Sequence, residues 1–182
     1  VEGKLSMSKI TFIANRGNSS IAPENTMPAF AEAINAGFGG VESDVWETPG
    51  IVLMIMHDES LKRTCGVEKN ITELTPEELR NYPVIRGSNI LDYGGALPVP
   101  SLEEYLNLLQ EYDIAPVIEI KSRKPFDENN AMSDSAVDQV LDLLDNTGTG
   151  DRAIILSFNL KALYLMITRK NRRFPAMTLS TM

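Results

Sequence analysis

The sequence predicts an α/β protein built around parallel strands. Short apolar segments rich in β-branched residues alternate with segments of helical periodicity along most of the 182-residue chain. This alternation is typical of successive βα units in one domain, in either a doubly wound sheet or a (β/α)8 barrel, and periodicity does not separate these two architectures. The composition agrees, because 43% hydrophobic and 23% charged residues are enough for one sizeable core.

Six segments are predicted to form strands, since each is a short apolar run next to turn residues. They cover residues 10–14, 40–45, 52–56, 115–120, 153–156 and 176–179. Five segments are predicted to form helices, mostly because an apolar stripe follows a capping residue. These helices are expected after Asn25 or Thr26, over 72–81, after Ser101 with Glu104 completing a capping box, after Ser133 or Asp134, and over 160–168.

The charge balance and the cysteine count exclude several classes of partner and compartment. A net charge of −8 disfavours nucleic acid and anionic membrane surfaces, which attract basic proteins. No apolar run reaches the ~18–20 residues of a membrane span, and no signal-peptide stretch is seen. The single cysteine, Cys65, cannot form an internal disulfide. We therefore expect a cytoplasmic protein, although a disulfide-free secreted protein would have the same composition.

Charged residues gather where the predicted strands end. In both α/β architectures, ligands bind beyond the carboxyl ends of the strands. Glu42 and Asp44 lie two residues apart on one strand, and Glu119 and Lys121 do so on another, so each pair projects to one side. Carboxylate clusters suit a hard cation such as Mg²⁺ or Ca²⁺. Lys121 and Arg16 would supply fixed positive charge for a phosphate.

The chain contains one histidine, His57, at the end of the third predicted strand. Any mechanism that needs two protein histidines is therefore impossible within this chain. Structural alternatives exist for these residues: Glu119 could form an ion pair with Lys121 or Arg16, and His57 could simply end a strand. All of these charged groups nevertheless fall at the same end of successive strands, which favours a site.

Eight short motifs follow one another in a recognisable order. They are Asn15-Arg16-Gly17, Ala22-Pro23-Glu24-Asn25-Thr26, Glu42-Ser43-Asp44-Val45, His57-Asp58-Glu59, Arg63-Thr64, Pro100-Ser101-Leu102-Glu103-Glu104, Ile118-Glu119-Ile120-Lys121 and Ser157-Phe158-Asn159. In order and spacing, this series resembles the glycerophosphodiester phosphodiesterase family. The Pro-Glu-Asn-Thr loop and the ordered Glu-x-Asp, His-Asp and Glu-x-Lys motifs are together strongly specific.

The resemblance implies a TIM-type barrel and metal-assisted hydrolysis of a small-molecule glycerophosphodiester to sn-glycerol 3-phosphate and an alcohol. In this family the glycerol hydroxyl attacks phosphorus, and water then opens the cyclic phosphate. By matching position, the resemblance implies that the metal ligands are Glu42, Asp44 and Glu119. It also implies that Arg16 and Lys121 contact phosphate and that His57 is one of two acid/base histidines.

Two features depart from the family pattern. Asn15 stands at the position of the family's first histidine, and an amide neither accepts nor delivers a proton at neutral pH. We therefore expect metal and phosphodiester binding with slow turnover or none. A full barrel usually takes about 250 residues, so six barrel strands over residues 10–182 predict an incomplete barrel that lacks its last βα units. Residues 1–9 are then an N-terminal extension or a cloning remnant.

These departures leave other functions open. An open barrel edge would expose apolar surface, which a second copy of the chain could cover as a homo-oligomer. A non-catalytic module for glycerophosphodiesters or glycerol-phosphate polymers fits Asn15. A phospholipase lyase of the sphingomyelinase D type is a weaker alternative, because such enzymes usually rely on disulfide-linked loops and this chain has one cysteine.

Overall fold

Within the described part of the chain, six strands form one sheet. The structure is a computed structural model that describes residues 11–123 and 132–169 and the backbone of 176–178. The strands are β1 (Ile13–Ala14), β2 (Gly40–Thr48), β3 (Val52–Ile55), β4 (Ala115–Ile120), β5 (Ile154–Ser157) and β6 (Ala176–Thr178). The helices are α1 (Met27–Asn35), α2 (Lys62–Cys65), α3 (Pro76–Leu79), α4 (Leu102–Leu109), α5 (Asp134–Asn146) and α6 (Leu160–Thr168).

Five of the six strands are parallel, in the order β1-β2-β4-β5-β6. This sheet is not closed within the described residues, which confirms the prediction of an incomplete TIM-type barrel with six identifiable strands. The third strand differs from its expected role, because β3 pairs antiparallel with β2 in a hairpin. Only residues 49–51 join the two strands, and a parallel crossover needs about a dozen residues.

Most predicted helices are confirmed, and their caps explain where they begin. Ser101 and Glu104 form the expected capping box at α4, and Ser133 caps α5. The helix expected over 72–81 is instead a 3₁₀ turn followed by the four residues of α3. The residue before a proline is disfavoured in helical conformation, so Thr75 is extended and caps α3 instead of continuing a helix. Residue 10, where the first strand was expected to begin, lies outside the described residues.

Two apolar clusters hold the sheet in place. The larger cluster packs α1, α4, α5 and α6 against the parallel strands, and its Tyr105 hydroxyl donates to the carbonyl oxygen of Val41 at 2.6 Å. The smaller cluster contains Trp46, Met54 and Leu61 and lies against the β2–β3 hairpin. The hairpin therefore has its own core, which fixes the segment that follows β3.

The sheet has two free ends in the described structure. At β1, Ile13 is 42% exposed and the preceding Phe12 is 70% exposed. Coverage of this edge by a second copy stays a prediction. Among the described residues, none of the helices has the length and apolar character that a bilayer crossing requires.

A half-buried arginine, Arg152, ties α4 to the start of β5. Its guanidinium donates to the carbonyl oxygens of Leu109, Tyr112 and Ile114 at 2.9–3.0 Å and of Gly148 at 3.3 Å. These acceptors include a carbonyl in the last turn of α4, which lacks intrahelical partners. One planar donor group thus satisfies four main-chain acceptors at the end of the sheet opposite to the candidate site.

Replacing this guanidinium is expected to destabilise the fold. We predict that Arg152→Met lowers the free energy of unfolding by about 1–3 kcal/mol, because it removes hydrogen bonds from a charged donor to carbonyl groups. Urea unfolding followed by circular dichroism measures the change. Arg80→Met, at an exposed arginine beside α3, is the matched control. Equal stability of the two variants would contradict a structural role for Arg152.

Candidate metal and phosphate site

Three buried carboxylates meet along the parallel ladder between β2 and β4, in which residues 40–45 pair with 115–120. Parallel pairing places Asp44 opposite Glu119, and the two-residue period of a strand places Glu42 on the same side as Asp44. One carboxylate oxygen from each residue lies within 4.8 Å of the others. The three residues are 1–8% exposed. The structure therefore brings together all three predicted metal-ligating side chains.

Two cationic side chains, Lys121 and Arg16, lie against this cluster, and their predicted contact with phosphate stays a prediction. The Lys121 ammonium is 2.9 Å from Asp44 Oδ1 and 2.6 Å from Glu119 Oε1. The main-chain N–H of Arg16 donates to Glu42 Oε2 at 2.8 Å, and Arg16 Nε is 3.5 Å from Asp44 Oδ2. The ion pair that was the structural alternative for Glu119 is thus present within the acidic cluster itself.

The loop between β1 and α1 holds Arg16 in place through left-handed backbone. Arg16 and Asn25 have φ of 56° and 55°, and Gly17 between them has φ of 73°. A Cβ on Gly17 would come within 2.6 Å of the Ala29 main chain, so the close approach of this loop to α1 requires glycine. The non-glycine residues in this conformation cost energy, which is typical of functional loops.

Asn25 belongs to the site and does not cap α1. Thr26 caps the helix and accepts from the main-chain N–H of Ala29, which resolves the two predicted alternatives. The Asn25 side chain instead donates from Nδ2 to Asp44 Oδ2 at 2.7 Å. Sequence analysis gave Asn25 no role in the site. The neighbouring Thr26 was the available signal for a role of Asn25 in the site. One capping residue is enough for a helix, so Asn25 was free to bind elsewhere.

His57 follows β3, and the β2–β3 hairpin brings it to the acidic cluster. The main-chain N–H of Met56 donates to the carbonyl oxygen of Asp44 at 3.0 Å, which fixes the end of the hairpin. The His57 ring is 32% exposed, and its Nδ1 is 2.6 Å from Asp58 Oδ1. A cavity of about 280 Å³ adjoins the ring. It is lined by Trp46, His57, Glu119, Ile120, Lys121, Ser122 and Phe158.

Asn15 lies at the end of β1, directly before Arg16. Asn15 is exposed, and its main-chain carbonyl oxygen accepts a hydrogen bond from the Ser19 hydroxyl at 3.2 Å. The amide can hydrogen-bond a ligand oxygen, but it has no titratable proton near neutral pH. That Asn15 stands at the position of the family's first histidine stays a prediction.

The electrostatics of the cluster fit a divalent cation. Burial and the neighbouring charge of Asp44 raise the pKa of Glu42 to about 8. Burial also raises the pKa of Glu119, although Lys121 opposes this effect. Burial acts to lower the pKa of Lys121, but Asp44 and Glu119 outweigh it and raise that pKa. The two cations therefore neutralise the three carboxylates incompletely, and hard oxygen ligands in this number suit Mg²⁺ or Ca²⁺.

Together, the open parallel sheet and the carboxylates beyond its strands define a TIM-barrel type of protein with a candidate divalent-cation site. The profile of the glycerophosphoryl diester phosphodiesterase family matches residues 16–182. The chain belongs to this family.

Curated relatives and solved structures agree with this assignment. The chain is 30% identical over 151 residues to a glycerophosphodiester phosphodiesterase of Caldanaerobacter subterraneus, covering 83% of this chain and 59% of that protein. It is 37% identical over 105 residues to one of Bacillus altitudinis, covering 58% of this chain and 41% of that protein.

Among solved structures, the glycerophosphodiester phosphodiesterase of Thermotoga maritima has a TM-score of 0.67 at 26% identity and covers 96% of this chain and 64% of its own. The Oleispira antarctica phosphodiesterase, solved with its product sn-glycerol-3-phosphate, has a TM-score of 0.76 at 24% identity, which shows the shared fold. That alignment covers 93% of this chain and 64% of the Oleispira chain. The chain spans less than two thirds of the length of each of these relatives.

The raised pKa of Glu42 predicts a specific pH dependence of stability without added metal. The folded state binds this proton more tightly than the unfolded state, whose pKa is the ordinary 4.5. The stabilisation is therefore complete below about pH 4.5 and is lost as the pH rises to about 8. The expected loss is on the order of 5 kcal/mol, since the pKa rises from 4.5 to about 8 and one pKa unit corresponds to about 1.4 kcal/mol.

We predict that Glu42→Gln flattens the decline in unfolding free energy between pH 5 and about 8. Denaturant unfolding in a chelator at several pH values measures it. The control is Glu68→Gln, because the Glu68 side chain is 76% exposed and pairs only with Lys62 among the described residues. If both variants keep the wild-type slope, Glu42 does not carry a raised pKa.

Proposed function

We propose that the chain supports metal-dependent hydrolysis of glycerophosphodiesters to sn-glycerol 3-phosphate and an alcohol, at a rate limited by Asn15. The observation that carries the proposal is the group of three buried carboxylates within 4.8 Å, flanked by Lys121 and Arg16. Family membership supports the reaction class. The Oleispira relative was solved with sn-glycerol-3-phosphate, which supports a small-molecule phosphate ligand.

Glu42, Asp44 and Glu119 would hold the cation, which we propose to be Mg²⁺ or Ca²⁺. Their chemistry fits, because all three are oxygen donors and are buried with excess negative charge. When bound, the cation would withdraw charge from a phosphate oxygen and so stabilise the charge that develops during displacement. Asn25 would hold the Asp44 carboxylate in orientation through its 2.7 Å hydrogen bond.

Arg16 and Lys121 would contact the phosphate. The Lys121 side chain is 12% exposed and reaches the cavity beside His57, so its ammonium stands between the acidic cluster and a bound anion. The Arg16 side chain is 26% exposed beside the same cluster. Two fixed cations would bind and orient a phosphodiester, because charge-assisted hydrogen bonds are stronger than neutral ones.

The displacement needs one proton to be accepted and one to be delivered. As the resemblance implies, the glycerol hydroxyl loses its proton on attacking phosphorus, and the departing alcohol oxygen gains one. Water then opens the cyclic phosphate with the same two transfers. His57 can perform one transfer at a time, whereas Asn15 can only hydrogen-bond a phosphate oxygen or a hydroxyl. Slow turnover follows from this missing group.

Metal binding is testable without substrate. We predict that Mg²⁺ or Ca²⁺ raises the thermal midpoint of unfolding in a concentration-dependent manner, because a ligand that binds only the folded state stabilises it. Asp44→Asn should weaken binding by at least about tenfold, since it removes a charged ligand at the centre of the cluster. Isothermal titration calorimetry measures the affinity, with Glu68→Gln as the control. Unchanged affinity in Asp44→Asn would contradict the assigned metal site.

Restoring the second acid/base group is expected to increase turnover. We predict that Asn15→His accelerates hydrolysis of glycerophosphocholine by about 10²–10⁴-fold, the usual contribution of general acid/base catalysis. A product-resolved assay with added Mg²⁺ or Ca²⁺ separates the functions. Release of sn-glycerol 3-phosphate supports the hydrolase, cyclic phosphate as the final product supports a lyase, and binding without product from either form supports a non-catalytic module.

A further inference from the structure

A chain of ion pairs links His57 to the loop that carries Arg16, and Arg63 lies at its centre. The Arg63 guanidinium binds Glu24 through two parallel hydrogen bonds, from Nη1 to Oε2 at 2.8 Å and from Nη2 to Oε1 at 2.7 Å. Its Nε donates to Asp58 Oδ2 at 2.6 Å. Arg63 thus uses both edges of its fork to connect two loops that are far apart in sequence.

The second oxygen of Asp58 faces the histidine. Asp58 Oδ1 is 2.6 Å from Nδ1 of His57. Burial acts to raise the pKa of Asp58, but the hydrogen bonds from Arg63 and His57 outweigh burial and hold this pKa below its ordinary value. An ionised carboxylate only accepts hydrogen bonds, so Nδ1 of His57 must carry the proton. In the neutral imidazole, Nε2 is then the nitrogen that is free to accept a proton.

Glu24 closes the connection on the other side. Its Oε1 also accepts from Nη1 of Arg16 at 3.1 Å, so one carboxylate is shared by two guanidinium groups. Burial acts to raise the pKa of Glu24, and the bonds from Arg63 together with the charge of Arg16 lower it overall. The side chain proposed to contact phosphate and the side chain proposed to transfer a proton are therefore tied to the same arginine.

From this geometry we propose that Arg63 is a positioning residue. It fixes Asp58 against Nδ1 of His57, so that the ring presents Nε2 as the nitrogen that exchanges a proton with substrate. The inference rests on the proposed function, in which His57 transfers that proton. Among the described residues, the side-chain partners of Arg63 are Glu24 and Asp58, and neither belongs to the carboxylate cluster.

The protonation site on the His57 ring, and not the unfolding midpoint, distinguishes positioning from simple stabilisation. The side chains of Arg63 and Asp58 are 46% and 33% exposed. Isolated ion pairs between exposed side chains contribute little to stability, but Arg63 holds Glu24 through two parallel hydrogen bonds and also binds Asp58. Loss of Arg63 is therefore expected to lower stability as well. Loss of Arg63 would also release Asp58, whose Oδ1 fixes the imidazole of His57.

The single histidine makes the experiment direct. With ¹⁵N-labelled histidine, both ring nitrogens observed by NMR belong to His57, and their chemical shifts report which nitrogen carries the proton in the neutral ring. The spectra are recorded without substrate, with the ring in its neutral form. Glu119 and Lys121, the charged neighbours that line the His57 cavity, remain unchanged in every variant.

The variants are Arg63→Gln, Arg63→Lys and the matched control Lys62→Gln. Lys62 is the neighbouring residue, is 66% exposed at its side chain and pairs with Glu68, so Lys62→Gln removes the same charge away from Asp58. We expect wild type and Lys62→Gln to be predominantly Nδ1-protonated. Arg63→Gln should shift to a mixture with substantial Nε2–H. Arg63→Lys should fall between them, because an ammonium keeps the charge without the fork.

An unchanged tautomer in Arg63→Gln overturns the proposal. If Arg63→Gln does not fold, Arg63→Lys decides in the same way, with the wild-type pattern again overturning it. In the Asn15→His protein, Arg63→Gln should lower kcat by about tenfold or more with a smaller change in KM, as expected when proton transfer is misaligned. Absence of turnover in Asn15→His itself would contradict the proposed function, which is a separate result from the NMR comparison.

Discussion

The site depends on the parallel pairing of β2 with β4 in one register. That register sets Asp44 beside Glu119 and buries three carboxylates together, an arrangement that is costly unless cations and hydrogen bonds compensate. Lys121, which follows β4, supplies part of that compensation, and Arg16 and Asn25 of the β1–α1 loop supply the rest. The left-handed residues of the β1–α1 loop and the tight approach of Gly17 to α1 follow from the need to bring two of these groups to the cluster.

Much of this arrangement could be predicted from the sequence. The period-two spacing of Glu42 with Asp44 and of Glu119 with Lys121 places each pair on one face, and parallel strands bring their ends together. Cap residues likewise marked the starts of α4 and α5. These features are local, or follow from a general rule of α/β folds, so a single sequence contains them.

The sequence did not contain the contacts between distant loops. Glu24 and Arg63 are 39 positions apart, and nothing in the spacing of either motif indicates that they pair. The antiparallel direction of β3 was also missed, since a short apolar run is the same in either direction. The short connection between the two predicted strands, residues 46–51, was the signal for a hairpin, because it is too short for a crossover.

The strand β2 pairs with β1, β3 and β4, and its ladders with β3 and β4 overlap at Val45. It pairs with Ile120 of β4 on one side and with Ile55 of β3 on the other. The backbone of β2 therefore positions both the carboxylates and the histidine. The hairpin tip at residues 49–51 lies at the opposite end of β3 from His57. Insertions at that tip should therefore change the spacing of the reacting groups very little. The length and sequence of the tip can then differ between related proteins and alter the neighbouring surface.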